Sequence, residues 1–125
     1  MVDPKERQAS ERQVVLSKAF VNAIALLGLT GREAGRFVGL SEAGISRLRR
    51  GDLLLDEGSK AFELAALIVR SFRSLDAITG GDEAAIRAWI RSPNAALGGA
   101  PVERMLSVGG LVDVVSYLDA RRAPL

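Results

Sequence analysis

The chain has 125 residues and carries 17 Lys and Arg against 15 Asp and Glu, with 48% apolar residues, no Cys and no His. At this length folding buries roughly two-thirds of the unfolded surface, so an ordinary apolar core suffices without disulfides or metal staples. The missing Cys and His remove thiol nucleophiles, zinc sites of the usual ligands and histidine bases, and so short a chain shows no cleft for carboxylate-only catalysis. The composition therefore reads as a binding protein: not an enzyme, with no cofactor and no metal.

Its richest apolar stretch runs only from Ala61 to Val69 and contains Glu63, against the run of about 18 residues that a membrane span needs. Met1 to Arg7 mixes charge signs and has no apolar region behind it, so it is no secretory signal, and the expected compartment is the cytoplasm.

Aromatic residues are scarce, and Ala, Leu, Arg and Glu dominate without strand-like alternation, which predicts an all-α fold. Asp3-Pro4-Lys5-Glu6 and Ser10-Glu11-Arg12-Gln13 both carry helix-start signals, and Leu16, Phe20, Ala23 and Leu27 keep helical spacing up to Gly28. Thr30 opens a short helix that ends near Val38-Gly39, and Ser41 caps a third that stops at Gly51. After a connector over 52–58, Ser59 begins a long helix that ends before Gly80-Gly81. Its apolar residues nearly encircle it, so it is expected to lie either between subdomains or between subunits. Asp82 caps a helix that ends at Ser92-Pro93. Pro101 starts a short one that Gly109-Gly110 is expected to close, and the last helix is expected from Leu111 to about Arg122.

Gly31 to Arg50 has the spacing of a helix-turn-helix. Gly35 and Gly39 fall where helix packing and the turn leave no room for a side chain, and Ala34, Val38, Leu40, Ile45 and Leu48 occupy inward positions. At about 100° per residue, Ala43, Ser46, Arg47 and Arg50 share the side of the third helix opposite Ile45 and Leu48. That stripe suits a major groove: Arg47 and Arg50 for guanine edges or phosphates, Ser46 for either, Ala43 for close approach. Ser41 at the helix start would hold a phosphate. Glu42 reads equally as an acceptor from cytosine and as a complement to the helix dipole. Gly44 reads as room for helix packing.

Arg32, Arg36 and Arg49 are candidate backbone contacts, although each alone reads equally as solvated surface. Together the five arginines of this window face only Glu33 and Glu42, a local +3 that exceeds the net +2 of the whole chain. A P-loop is excluded, because Ile45 stands where its lysine would be. The acidic pairs Asp56/Glu57 and Asp82/Glu83 read as helix caps.

In the second half, Ala88-Trp89-Ile90-Arg91-Ser92-Pro93-Asn94, Leu97-Gly98-Gly99-Ala100-Pro101-Val102-Glu103 and the run from Gly110 through Val115 and Leu118 resemble the C-terminal domain of Xre/MbcA/ParS-type antitoxins. Ser59 to Ala65 and Arg70 to Ala77 resemble that family's linking helix. The resemblance implies an antitoxin whose helix-turn-helix binds its own promoter and whose C-terminal domain holds a RES-domain toxin, an NAD-consuming enzyme, by covering its active-site cleft. It also makes the last helix and tail the candidate toxin contact: Asp119, Arg121, Arg122, Pro124 and Leu125, with Trp89 beside them. Read without the resemblance, Trp89 is a core anchor and the tail a frayed basic terminus.

The expected organisation is a helix-turn-helix module with its N-terminal helix (1–58), a linking or dimerisation helix (59–81) and a toxin-binding domain (82–125), joined in a homodimer on inverted-repeat operator DNA. The alternatives are a stand-alone regulator whose C-terminal half only dimerises and an interaction protein whose helix-turn-helix no longer binds DNA.

Overall fold

The computed structural model describes residues 9–122, so the Asp3-Pro4 helix start lies outside the described residues. Seven α-helices follow one another without a β-strand among those residues: α1 (Glu11–Leu26), α2 (Gly31–Val38), α3 (Glu42–Arg50), α4 (Lys60–Thr79), α5 (Glu83–Arg91), α6 (Pro101–Arg104) and α7 (Val108–Arg122). Their starts follow from side-chain chemistry. Ser10 and Thr30 close reciprocal capping boxes with Gln13 and Glu33, and Ser41, Ser59 and Asp82 each accept a hydrogen bond from the third backbone N–H of their helix.

One apolar core runs through both halves of the chain. Phe20 and Ile24 of α1, Ile45 of α3, Ile68 and Leu75 of α4, Ile86 and Ile90 of α5, and Leu111 and Leu118 of α7 are all essentially inaccessible to solvent and belong to a single cluster. Helix α4 is its axis: α1, α2, α5 and α7 all pack against it. Burial between the two halves of the same chain thus accounts for much of its apolar circumference, although Phe62, Ala66 and Leu67 remain only half-buried.

The connector over 52–58 is pinned to α1, since Ser17 Oγ accepts from the Leu55 N–H at 2.9 Å and Gln13 Nε2 donates to the Leu55 carbonyl at 3.2 Å. The Ser-Pro-Asn and Leu-Gly-Gly segments also have a geometric role. The backbones of Asn94 and Gly99 exchange hydrogen bonds of 3.1 and 3.2 Å around a 3-10 turn over Ala95–Leu97, and Asn94 Oδ1 caps that turn.

Gly109-Gly110 does not end a helix, contrary to the sequence expectation. Helix α6 stops at Arg104, and both glycines lie in the first turn of α7, which begins at Val108 and not at Leu111. Ser107 supplies the start signal, its hydroxyl accepting from the Gly110 N–H at 3.0 Å and its carbonyl from the Leu111 N–H at 2.9 Å. Gly110 is needed for contact: a Cβ there would overlap the carbonyl oxygen of Arg104.

Candidate functional site

Helices α2 and α3 meet through Gly39-Leu40-Ser41. Gly39 turns in the left-handed region at φ 77°, and the Leu40 N–H donates to the Gly35 carbonyl at 2.8 Å. The turn lies so close on α2 that a Cβ at Gly35 would collide with the Leu40 carbonyl oxygen. Ala34, Phe37, Val38, Ile45 and Leu48 are buried, with Leu40 half-buried. This is the tight hairpin that the sequence spacing predicts, and Phe37 joins its inward set, but lack of room holds only at Gly35: Gly39 has open space around it and serves the turn through its positive φ.

Burying Gly44, Ile45 and Leu48 leaves the opposite face of α3 to solvent. Ala43, Ser46, Arg47 and Arg50 are all exposed there, while Ser41 and Glu42 are exposed at its start. Arg47 Nε leans on the Ala43 carbonyl at 3.4 Å, which directs the guanidinium back along the helix. Arg50 is paired with Asp52 at 3.2 Å, a partner the sequence reading missed. Arg32 and Arg36 are exposed on α2. Arg49 lies off the stripe, reaching towards Gly31 at the start of α2. Ser41 Oγ accepts from the Gly44 N–H at 3.0 Å, so its acceptor capacity serves its own helix first.

A Cβ at Gly44 would sit 3.4 Å from Ser41 Oγ and 3.6 Å from Leu40 Cβ, ordinary contact distances, so helix packing does not require the glycine. Gly44→Ala is expected to leave the fold intact and to raise stability by up to about 1 kcal/mol through helix propensity. Equilibrium urea unfolding checks this, and a loss of more than about 1 kcal/mol would show that Leu40 and Ser41 cannot yield.

The C-terminal half grips this hairpin through α5. Arg91 makes a two-pronged ion pair with Glu33, Nη1 and Nη2 donating at 3.0 and 2.9 Å, and its Nη2 also reaches the Gly28 carbonyl at 2.9 Å. Arg87 adds bonds to the carbonyls of Ala25 and Leu26 at the end of α1. Nothing in the sequence pointed to this clamp, because its members stand about sixty residues apart and only folding brings them together.

The Arg91 hydrogen bonds hold the Glu33 carboxyl at about 2, against an ordinary value of 4.5; partial burial opposes that shift, and the Thr30 cap assists it. A carboxyl depressed in the folded state stabilises it above the unfolded value and loses that contribution as pH falls from about 4.5 towards 2. Because the pair is partly solvated, the contribution at neutral pH is about 1 kcal/mol. Glu33→Gln is therefore expected to destabilise the protein by about that much at pH 7, less as pH falls from about 4.5, and to make no difference once pH is below about 2. Urea titrations of both proteins across that range would show the two stability curves converging, and a constant gap would contradict the assignment.

On the far side, Trp89 is half-buried against the core and stacks on Tyr117 at 6.1 Å between ring centroids, joining α5 to α7. Arg121 lies over the other ring of that pair, 4.2 Å from the Tyr117 centroid. Asp119 faces inward, paired with Arg70 and accepting from Ser74 Oγ at 3.1 Å, both on α4. Arg122 is exposed; Pro124 and Leu125 lie outside the described residues. The sequence reading missed an apolar patch at the other end of α7. Val108 and Val112, four apart on α7, are 62% and 45% exposed, and Leu106 just before them is 42% exposed.

Two family models cover nearly the whole of this architecture. Residues 6–70 match the antitoxin Xre-like helix-turn-helix domain, and residues 74–123 match the antitoxin Xre/MbcA/ParS C-terminal toxin-binding domain. The chain belongs to the Xre-like antitoxins. No curated protein is similar enough to count as a relative. The antitoxin's two matched regions join between residues 70 and 74, within α4, so that helix contributes to both. No helix among the described residues is long and apolar enough to cross a membrane.

Proposed function

We propose that the antitoxin neutralises a RES-domain, NAD-consuming toxin by covering its active-site cleft, and that it represses its own operon by placing α3 in the major groove. The observation that carries the reading is the coupling of an exposed Ala43/Ser46/Arg47/Arg50 stripe on a helix-turn-helix to a toxin-binding domain in the same chain. RES as the toxin class rests on the resemblance of the Trp89, Ser-Pro-Asn and Leu-Gly-Gly-x-Pro segments.

On DNA, Arg47, Arg50 and Ser46 contact bases or phosphates, Ala43 allows close approach, Ser41 and Glu42 lie at the helix start, and Arg32, Arg36 and Arg49 hold the backbone. A homodimer places two such helices on an inverted repeat, with half-sites about 34–36 Å apart or a multiple of that. On the toxin, the contact is formed by Arg121, Arg122 and the Pro124-Leu125 tail, with Trp89 behind them, and extends to the Leu106/Val108/Val112 patch at the start of α7. Asp119 serves chiefly by fixing α7 to α4. Both activities belong to the cytoplasm, and the protein is itself not an enzyme.

Because α4 packs against both halves, cutting the chain after Gly81 would remove α5 and α7 from it, so the test uses the full chain. Tagged wild-type protein and a Val108→Asp/Val112→Asp variant would be passed over lysate of the native host. Recovery of a RES-domain protein by the wild type alone, with equal DNA binding by both, is the expected result. If neither retains such a protein while DNA binding persists, the stand-alone regulator becomes the better account.

A further inference from the structure

The two arginines at the end of α7 face different ways. Arg121 stands one helical turn after Tyr117, and its guanidinium lies over that ring, 4.2 Å from the centroid. Arg122, turned about 100° further round the helix, lines a hollow between α1 and α4 together with Arg70 and Arg73. Both are exposed. Only Arg121 is tied to the α5 side, because the Tyr117 ring beneath it is itself stacked on Trp89 of that helix, with 24° between the ring planes.

Tyr117 is a shelf with a fixed back. It and Trp89 are half-buried and packed against the core, so the ring that carries Arg121 has little freedom of its own. A guanidinium over an aromatic face is held by the negative face of the ring, while its N–H donors stay available at its rim. Nothing competes for those donors: among the described residues Arg121 forms no ion pair, and Asp119, the nearest acid in sequence, is taken by Arg70 and Ser74 of α4. The result is a cation placed by packing and left with its hydrogen bonds unspent.

We propose that Tyr117 is a positioning residue of the toxin contact and that Arg121, rather than Arg122, supplies the charge of that contact, meeting a carboxylate of the toxin. The inference rests on the toxin-binding reading above and narrows it to one of the two arginines. A carboxylate is the matching acceptor because its two oxygens lie in one plane, as the donors of the guanidinium fork do. An arginine free in solvent gives up its side-chain freedom when a partner fixes it, whereas one already held on a ring gives up less, so the same ion pair binds more tightly. The ring face does this work and the Tyr117 hydroxyl takes no part in it.

The test uses the full chain and the RES-domain protein that it captures from its native host, with affinity measured by calorimetry in the absence of NAD. Arg121→Ala is expected to weaken binding about ten-fold or more, and Arg122→Ala less than about two-fold. Tyr117→Leu is expected to weaken it about three-fold and Tyr117→Phe not at all, since phenylalanine keeps the ring face. Tyr117→Leu adds nothing once Arg121 is alanine, which separates positioning from a general loosening of α7. In the free protein, the Arg121 δ-methylene protons are expected upfield, over the Tyr117 ring, and at ordinary positions in Tyr117→Leu. Equal losses at Arg121 and Arg122, additive losses in the double variant, or an unshifted Arg121 resonance would overturn the inference while the antitoxin reading stands. A loss on Arg121→Ala that appears only with NAD present would put the arginine on the nucleotide's phosphates and overturn the carboxylate assignment. A wild-type chain that captures no RES-domain protein while it still binds DNA overturns the antitoxin reading, and this inference with it.

Discussion

Replacing Gly110 with Ala is expected to lower the stability of the protein by about 3 kcal/mol, the upper part of the range for forcing an extra carbon into a packed site. The position sits where α7 begins, and the atom in the way is a backbone carbonyl oxygen, that of Arg104, which cannot swing aside like a side chain. Relief requires α6 and α7 to separate, and that would disturb Met105 and Leu111, both nearly inaccessible in the core. The neighbouring glycine supplies the control. Nothing lies within 4 Å of where a Cβ on Gly109 would sit, so Gly109→Ala is expected to be neutral or to stabilise by up to about 1 kcal/mol. Thermal unfolding of the pair decides the point. A drop of roughly 10 °C for the first with none for the second is predicted, and equal behaviour would mean that the start of α7 is loosely held.

The second large effect concerns DNA. Arg47→Ala and Arg50→Ala are each expected to cost about 1–3 kcal/mol of operator binding, and the double variant a hundred-fold or more in affinity. Both side chains are exposed on one stripe of α3, so their removal leaves the core untouched. The manner of loss identifies the contact. A base-reading arginine, when lost, relaxes preference at one base pair. A phosphate contact weakens every sequence alike and lowers the salt dependence by about one ion. Arg50 starts from its pair with Asp52 and must exchange that partner for DNA, so Arg47 is expected to carry the larger share. Binding titrations on the operator and on single-base variants at two salt concentrations separate these outcomes, and unchanged affinity in the double variant would remove α3 as the reading helix.

How far the sequence alone led depended on the range of the signal. Helix starts were readable because a cap is a contract between residues three apart: Ser10, Thr30, Ser41, Ser59 and Asp82 all do what their neighbours announce. The hairpin was readable because Gly35, Gly39 and the inward apolar set act within one local motif. Gly109-Gly110 misled because glycine favours helix ends yet also marks close approach, and only the fold shows Arg104 lying against it. That error hid the exposed patch, since placing Val108 before a helix break and Val112 after it conceals that they stand one turn apart on α7. The Glu33–Arg91 clamp and the Arg70–Asp119 pair are long-range meetings of charged residues, for which the linear order holds no local sign.

The clamp also bears on how two functions share one small chain. Arg87 and Arg91 hold the end of α1 and the start of α2 from the helix that carries Trp89, so the hairpin and the C-terminal half are fastened together by charge as well as by core packing. The most direct test of the central claim is to look for a RES-domain protein encoded beside the chain's gene, the partner proposed above, and to follow the NAD loss it catalyses with increasing amounts of the full-length antitoxin added. Abolition of NAD consumption at a fixed stoichiometry, with a complex recovered by gel filtration, is the predicted result. Undiminished NAD loss in the presence of excess, correctly folded antitoxin would contradict it.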